Sequence, residues 1–249
     1  MFPYRDDNPT LRTPVVTLAL IAANVAVWGY VQGFGSEPLV AGSICRLGLV
    51  PAEILGRVRP GEVIQLGPGA TCPLGLDGTW LTALTSMFLH GSWMHLIGNM
   101  WFLWVFGNNV EDSMGRIRFV AFYLLCGLAA AALQVFLEPS SRIPMVGASG
   151  AISGVMGAYV LLYPRVRVHL IYIIIIYIGR FSLPAWMMLG YWFLLQLLGG
   201  WAAIGEEGGG TAFWAHVGGF AAGALLIPLM QDRELVARHR AAILRHVYG

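Results

Sequence analysis

The sequence predicts an all-α membrane protein that crosses the bilayer six times and forms one domain over residues 1–249. Of its 249 residues, 57% are hydrophobic and only 11% are charged, whereas an average soluble domain carries about 25% charged residues. This small number of charged groups could not cover a water-exposed surface. We therefore expect the outer surface of the chain to face lipid. The formal net charge of +2 is too small to indicate a nucleic-acid partner.

Crossing the hydrocarbon core takes about 17–25 mostly apolar residues. Six stretches qualify, at residues 15–31, 93–110, 117–137, 147–163, 184–201 and 211–230. A further apolar stretch, Val168–Ile178, is short and rich in β-branched residues, so we expect an interfacial or extended segment there. A long outer loop at residues 32–92 follows the first span. The basic tail at residues 231–249 is predicted to be a helix on the inner face, attracted by anionic lipid.

The distribution of arginine supports six spans with both termini in the cytoplasm. The inner side then receives Arg5, Arg12, Arg116, Arg118, Arg165, Arg167, Arg180, Arg233, Arg238, Arg240 and Arg245. The outer side receives only Arg46, Arg57, Arg59 and Arg142. Basic residues concentrate on the cytoplasmic side of membrane proteins. The N-terminal residues lack a signal-peptide pattern, so we expect a multi-pass protein of a bacterial cytoplasmic membrane.

The chain has three cysteines. Cys45 and Cys72 fall in the same outer loop and could pair in an oxidising compartment. With so few cysteines in the chain, two free thiols are slightly favoured, and the pairing stays open. Cys126 lies in an apolar run and is interpreted as an inert core residue.

Four polar residues lie inside the predicted spans, where polar groups are costly and often functional. They are His95 and Asn99 in span two, Ser149 in span four and His216 in span six. Even-numbered spans all start at the outer face, and each of these residues falls in roughly the first two turns of its span. All four are therefore expected at one depth, about 5–10 Å below the outer boundary.

Glycine patterns predict that spans four and six touch. Gly150 and Gly154 in span four, and Gly219 and Gly223 in span six, form small-xxx-small pairs that allow close helix approach. Such an approach would let a short serine side chain reach an imidazole on another helix. Span four follows Pro144 closely, so Ser149 is expected near a helix N-terminus, whose free N–H groups stabilise an oxyanion.

These residues predict nucleophilic catalysis on a peptide carbonyl. His216 would accept the Ser149 proton, and Asn99, His95 and the Ser149 amide would hold the oxyanion. Glu111 and Asp112 lie at the inner end of span two, and Glu206 and Glu207 lie in an outer loop, so a Ser-His dyad is expected rather than a triad. The structural alternatives are that Ser149 is a small residue at a helix crossing, and that His216, Asn99 and His95 only bond to neighbouring helices.

Three motifs closely resemble the rhomboid intramembrane proteases: HGSWMHLIGN at His90–Asn99, GASG at Gly147–Gly150 and AHVGG at Ala215–Gly219. Glu111, Gly115 and Phe119 add to this likeness. The resemblance covers residues 81–230 and implies a six-helix rhomboid-like bundle. It also implies Ser149 as nucleophile, His216 as base, and His95, Asn99 and the Ser149 amide as oxyanion hole. The resemblance further implies cleavage of transmembrane proteins, usually with a single span, without a metal or organic cofactor.

Two positions depart from the family pattern. Several members carry an aromatic residue one turn after the nucleophile, stacked on the histidine, where this chain has Ser153. A Trp-Arg pair typical of the first loop is also not found between Gln32 and Ser92.

The other notable residues are given structural roles. His90 is expected to fasten the long loop by hydrogen bonds, and Glu111 to make an inner-face contact with Arg116 or Arg118. No HExxH pattern or third ligand accompanies His90 and His95, so no metal site is expected. The alternatives to a protease are an inactive rhomboid-like scaffold that binds transmembrane substrates, and a transporter. No inverted repeat supports the transporter.

Overall fold

A computed structural model of the chain describes residues 2–59, 61–67, 69–75, 79–174, 177–203 and 211–248. In chain order its elements are β1 (Phe2–Asp6), α1 (Val15–Tyr30), α2 (Glu37–Leu47), α3 (Pro51–Ile54), β2 (Val63–Gly67), β3 (Ala70–Pro73), α4 (Thr82–Thr85), α5 (Trp93–Met114), α6 (Arg116–Leu137), α7 (Ser149–Leu162), β4 (Arg167–Ile174), β5 (Tyr177–Pro184), α8 (Ala185–Ala202), α9 (Phe213–Met230) and α10 (Arg233–Tyr248). Two short 3-10 turns cover Gly33–Gly35 and Ser86–Phe88.

Six of these helices, α1 and α5 to α9, occupy the six stretches predicted as spans. The largest difference is at α5, which continues to Met114 beyond the predicted end at Val110. Within the described ranges, α6 and α9 are by themselves long and apolar enough to cross a membrane, and α1 and α7 are apolar but shorter. The helices thus match the predicted positions, while the count of six crossings stays a prediction.

Helix α7 forms the centre of the bundle and is buried along almost its whole length. Its residues Val155 and Tyr159 pack in a core with Phe106 of α5 and Tyr123 of α6, all fully buried. The outer faces of the surrounding helices expose large apolar side chains instead, for example Trp104, Leu125, Leu198 and Leu225. Exposed apolar area around a whole bundle is typical of a lipid-facing surface.

At one end of the bundle, here called the sheet end, lies an antiparallel sheet with the strand order β1-β4-β5. Phe2 pairs with Ile171 and Asp6 with Val168. The stretch Val168–Ile178 is therefore extended over its described residues, as the sequence predicts. The pairing of β1 with β4 was not predicted, since β1 holds only five residues.

Acidic residues hold the start of the chain against the sheet end of α5. Glu111 accepts hydrogen bonds from the backbone N–H of Val16 at 3.1 Å and of Thr17 at 2.8 Å, and from the Thr17 hydroxyl at 2.8 Å. Asp112 accepts from Arg12 at 3.2 Å. Glu111 thus makes a structural contact, as predicted, but its partners are free N–H groups at the start of α1 and not Arg116 or Arg118.

A second polar cluster joins β1 to the sheet ends of α5 and α7. The Asp6 carboxylate accepts hydrogen bonds from the Asn109 amide at 3.0 Å and from the Tyr159 hydroxyl. His239 of α10 is fully buried and contacts the carbonyl oxygen of Pro9 at 2.7 Å. The tail is therefore helical as predicted, and it is tied to the N-terminal segment.

The opposite end, here called the loop end, carries residues 31–92. A disulfide joins Cys45 to Cys72, so the expectation of two free thiols is wrong. The hairpin of β2 and β3 brings Cys72 next to α2, which spacing along the chain could not reveal. Leu49 exchanges backbone hydrogen bonds with Met145 at 3.0 and 2.8 Å, and this pairing fixes the segment that leads into α7.

Candidate active site

Ser149 and His216 meet at the loop end of the bundle. Ser149 is the first residue of α7, and His216 lies in the first turn of α9. The Ser149 hydroxyl oxygen is 2.8 Å from His216 Nε2, which is hydrogen-bond distance. A serine in this contact with a neutral imidazole can lose its proton as it attacks an electrophile.

Glycine makes this contact possible. A Cβ at Gly219 would lie 1.9 Å from the Gly150 carbonyl oxygen, and a Cβ at Gly223 would lie 1.9 Å from the Gly154 carbonyl oxygen. Helices α7 and α9 therefore pack backbone against backbone over these two pairs. The start of α9 is held from α6 as well, because the Gln134 side chain accepts a hydrogen bond from the Ala215 N–H at 3.0 Å.

A cavity of about 430 Å³ opens beside the Ser149 hydroxyl. Its lining includes Ser86, Met87, His95, Gly147, Ser149 and His216. Gly147 has a φ of +124°, which favours glycine, and a Cβ there would lie 2.7 Å from His95 Nε2 and 3.5 Å from the Ser149 hydroxyl oxygen. Because Gly147 has no side chain, open space remains between the His95 imidazole and the Ser149 hydroxyl.

Of the groups predicted to hold an oxyanion, Ser149 and His95 border this space and Asn99 does not. The N–H groups in the first turn of α7 have no partner within the helix, and the Ser149 N–H is among them. His95 borders the cavity, and its backbone N–H is capped by the Ser92 hydroxyl at 3.1 Å. The Asn99 amide donates to the His95 carbonyl oxygen at 2.9 Å and lines a groove on the other side of Ser149.

His90 lies next to His95 and is fully buried. Its ring meets the His95 ring edge to face, with 5.1 Å between centroids. The loop is fastened here through the His90 backbone, whose N–H donates to Gln32 at 2.9 Å and whose carbonyl accepts from Gln32 at 2.8 Å. His90 therefore holds the loop by hydrogen bonds, as predicted, and it does so through its backbone groups.

Gln196 of α8 is a site residue that the sequence analysis missed. Its side-chain oxygen is 2.8 Å from His216 Nδ1, on the opposite side of the imidazole from Ser149. The sequence does contain a signal for this residue. Gln196 is the one amide side chain in an otherwise apolar helix, and polar residues in such helices are functional candidates.

An aromatic ring from α8 also lies beside the imidazole. The Trp192 and His216 rings are 5.8 Å apart between centroids and are inclined by 38°. Ser153, at the position where several rhomboids carry an aromatic residue, donates instead to the Ser149 carbonyl oxygen at 2.6 Å. The aromatic neighbour of the histidine therefore comes from α8 in this chain.

Two other sequence predictions concern this region. Among the described residues, no group of three potential histidine, cysteine or acidic ligands could hold a metal ion. Glu206 and Glu207, considered as partners for His216, lie outside the described residues.

Comparison with known proteins identifies relatives of the chain. The family model for the Rhomboid domain matches residues 77–233. The Rhomboid protease AarA of Providencia stuartii is 29% identical over 167 residues, which cover 62% of this chain and 53% of the relative. The Rhomboid protease GluP of Bacillus subtilis is 37% identical over 111 residues, 41% of this chain and 21% of the relative.

A third relative is the mitochondrial Rhomboid protein 1 of Saccharomyces cerevisiae, 28% identical over 151 residues, which cover 58% of this chain and 40% of the relative. The chain thus spans about half the length, or less, of these curated relatives.

Proposed function

Because the chain belongs to the rhomboid family, whose members are helical membrane proteins, we propose that it is an intramembrane serine endopeptidase. It cleaves transmembrane proteins near the outer face of the membrane with a Ser149–His216 dyad. The observation that carries this proposal is the 2.8 Å contact between the Ser149 hydroxyl and His216 Nε2. The names of two relatives, AarA and GluP, include the word protease and support the same reaction.

The reaction proceeds in two stages. His216 Nε2 accepts the hydroxyl proton while the Ser149 oxygen attacks the scissile carbonyl, and protonated His216 then gives this proton to the leaving amine. In the second stage His216 deprotonates a water molecule that attacks the acyl carbonyl, and it returns this proton to the Ser149 oxygen as the ester bond breaks and the acid product leaves. At both stages the oxyanion is held by the Ser149 N–H with the His95 and Asn99 side chains.

The substrate reaches this dyad in an unwound form. A peptide bond inside a helix is shielded by its own hydrogen bonds and side chains, so the scissile segment must be extended when it enters the cavity. Segments near the exposed end of a span unwind at the lowest cost, because water can bond their backbone groups. This favours cleavage at the outer end of single-span substrates.

Cleavage of a synthetic single-span substrate by the purified protein, reconstituted in liposomes, tests the proposal. We expect Ser149→Ala and His216→Ala each to lower kcat/KM by more than about 1,000-fold. The matched control is Ser113→Ala, which removes a buried hydroxyl at the sheet end of α5 and should leave cleavage unchanged. A fluorophosphonate should label the parent protein and not Ser149→Ala.

Two results would reject the assignment. Equal cleavage by Ser149→Ala and the parent would exclude Ser149 as the nucleophile. Substrate binding without cleavage by the parent would indicate an inactive scaffold instead of a protease.

The orientation in the membrane is part of the proposal. Helices α1 and α5 to α9 cross the bilayer, the loop end faces outward, and both termini lie in the cytoplasm of a bacterial cell. Single cysteines introduced at Ser140 and at Arg238, in a variant lacking Cys45, Cys72 and Cys126, test this orientation. An impermeant maleimide added to intact spheroplasts should label position 140 and not position 238, and the reverse pattern would contradict the proposed orientation.

A further inference from the structure

The Gln196 side chain lies between two groups at the site. Gln196 is buried, with 8% of its surface exposed. Its amide oxygen is 2.8 Å from His216 Nδ1, and its amide nitrogen donates to the Trp192 carbonyl oxygen at 3.2 Å. Both ends of the amide are therefore bonded, and this fixes its orientation.

The bond to Trp192 determines what Gln196 offers to the histidine. A carbonyl oxygen only accepts hydrogen bonds, so the NH₂ end of the amide must point at Trp192 and the oxygen must point at His216. An oxygen facing Nδ1 requires a proton on that nitrogen. In the neutral imidazole the lone pair is then on Nε2, the nitrogen that is 2.8 Å from the Ser149 hydroxyl.

We propose that Gln196 is a positioning residue, which holds His216 in the tautomer with Nδ1 protonated and directs the Nε2 lone pair at Ser149. This inference rests on the proposed function of the Ser149–His216 pair. With the other tautomer, two lone pairs would face each other at Gln196, and an N–H would face Ser149 where a base is needed.

A neutral amide is better suited than a carboxylate to the position of Gln196 in the apolar helix α8. A carboxylate in an apolar helix carries a large desolvation cost, whereas an amide orients the ring without a charge. The Nδ1–H···O contact also persists when His216 is protonated, because both ring nitrogens are then donors. Gln196 thus keeps the ring in one orientation through both stages of the reaction.

Two substitutions separate this role from simple packing. Gln196→Met keeps the length of the side chain and removes the amide acceptor. Gln196→Glu keeps an acceptor oxygen at the same position along the side chain. The control is Leu195→Met on the same helix, at a position with 43% of its surface exposed, which should behave like the parent.

We expect Gln196→Met to lower kcat by about 10- to 100-fold, the range found when the hydrogen-bond partner of a metal-ligating histidine is removed, and to leave KM within about two-fold. Gln196→Glu keeps an acceptor for Nδ1 but carries the desolvation cost of a carboxylate, so it should recover only part of this loss. A Gln196→Met variant as active as Leu195→Met would overturn the proposal.

A spectroscopic measurement tests the tautomer without activity. In ¹⁵N-histidine-labelled protein in detergent, the His216 signals are identified by their loss in His216→Ala. The parent should show a protonated Nδ1 and an unprotonated Nε2 at neutral pH, and Gln196→Met should show a mixture of tautomers. An unprotonated Nδ1 in the parent would overturn the role of Gln196 even if no variant folds. Retained cleavage in Ser149→Ala would instead reject the proposed function, so the two failures are distinguishable.

Discussion

Both ends of α7 carry a hydroxyl group, but one hydroxyl borders an open cavity and the other is enclosed in a hydrogen-bonded cluster. At the loop end, the Ser149 hydroxyl contacts His216 and borders a cavity of about 430 Å³. At the sheet end, the Tyr159 hydroxyl bonds to Asp6 inside a closed cluster with Asn8 and Asn109. Polar residues buried in a membrane helix therefore do not identify a reactive site by themselves. The difference lies in the open space that a substrate could enter.

The two ends also differ in how the helices meet. Near Ser149, α7 touches α9 through glycine backbones. The backbone contact with α9 extends to Gly157, where a Cβ would lie 2.1 Å from the Phe220 carbonyl oxygen. On the side of α7 that faces α5, the contact near Tyr159 is made by aromatic rings instead, with the Phe106 and Tyr159 centroids 5.0 Å apart. Backbone contact leaves no freedom to adjust, whereas side chains can repack. We therefore expect the loop end to tolerate added volume poorly and the sheet end to depend on charge and hydrogen bonds.

The largest effect should come from adding one methyl group between α7 and α9. In Gly219→Ala the new Cβ would fall 1.9 Å from the Gly150 carbonyl oxygen, so the helices must separate. We expect a loss of more than about 3 kcal/mol in the free energy of unfolding together with loss of cleavage. Gly190→Ala on α8 is the control, because nothing lies within 4 Å of its added Cβ. Equal stability of the two variants, from detergent unfolding curves, would contradict the close crossing.

An intermediate effect is expected from pH at the sheet end. Burial raises the pKa of Asp6 from 3.8 to about 6, although the Tyr159 hydrogen bond acts in the opposite direction. A carboxyl group with a raised pKa stabilises the fold fully below about pH 4, and this stabilisation is lost as pH rises to about 6. At about 1.4 kcal/mol for each pKa unit, the loss is about 3 kcal/mol.

Asp6→Asn isolates this contribution, because the amide imitates the protonated carboxyl group. The unfolding free energy of the parent, relative to that of Asp6→Asn, should fall between pH 4 and pH 6 and stay level above it. A difference between the two proteins that does not vary over this range would show that Asp6 titrates normally.

The smallest of the three effects should follow neutralisation of Glu111. Glu111→Gln keeps the shape of the side chain but replaces a charged acceptor of three hydrogen bonds. We expect a loss of about 2 kcal/mol in the free energy of unfolding, measured by chemical denaturation in detergent. Cleavage at a temperature where the variant stays folded should equal that of the parent. A selective loss of activity would mean that the two ends of the bundle are coupled.

Much of the fold could be predicted because long apolar stretches mark helices directly. The predicted stretch 117–137 corresponds to α6 at Arg116–Leu137, and the approach of α7 to α9 follows from glycines spaced four residues apart. The meeting of Ser149 with His216 could be anticipated for the same reason. Each of these inferences uses a regular period along one helix.

The parts that could not be predicted depend on contacts between distant, irregular segments. The pairing of β1 with β4 joins residues more than 160 positions apart, and the Cys45–Cys72 disulfide depends on how the loop folds. Gln196 was not predicted because the partner that orients a catalytic histidine is most often a carboxylate. An amide accepts the same hydrogen bond without a charge, and this possibility should be considered wherever a histidine lies in an apolar helix.

The first strand sets an order of events during synthesis. Phe2–Asp6 is synthesised long before its partner Val168–Ile171, which is made only after four of the six long helices, α1 and α5 to α7. Until then Phe2–Asp6 has no strand to join, and the Tyr159 partner of Asp6 is itself made only shortly before β4. Closure of the sheet end must therefore wait until β4 has been made.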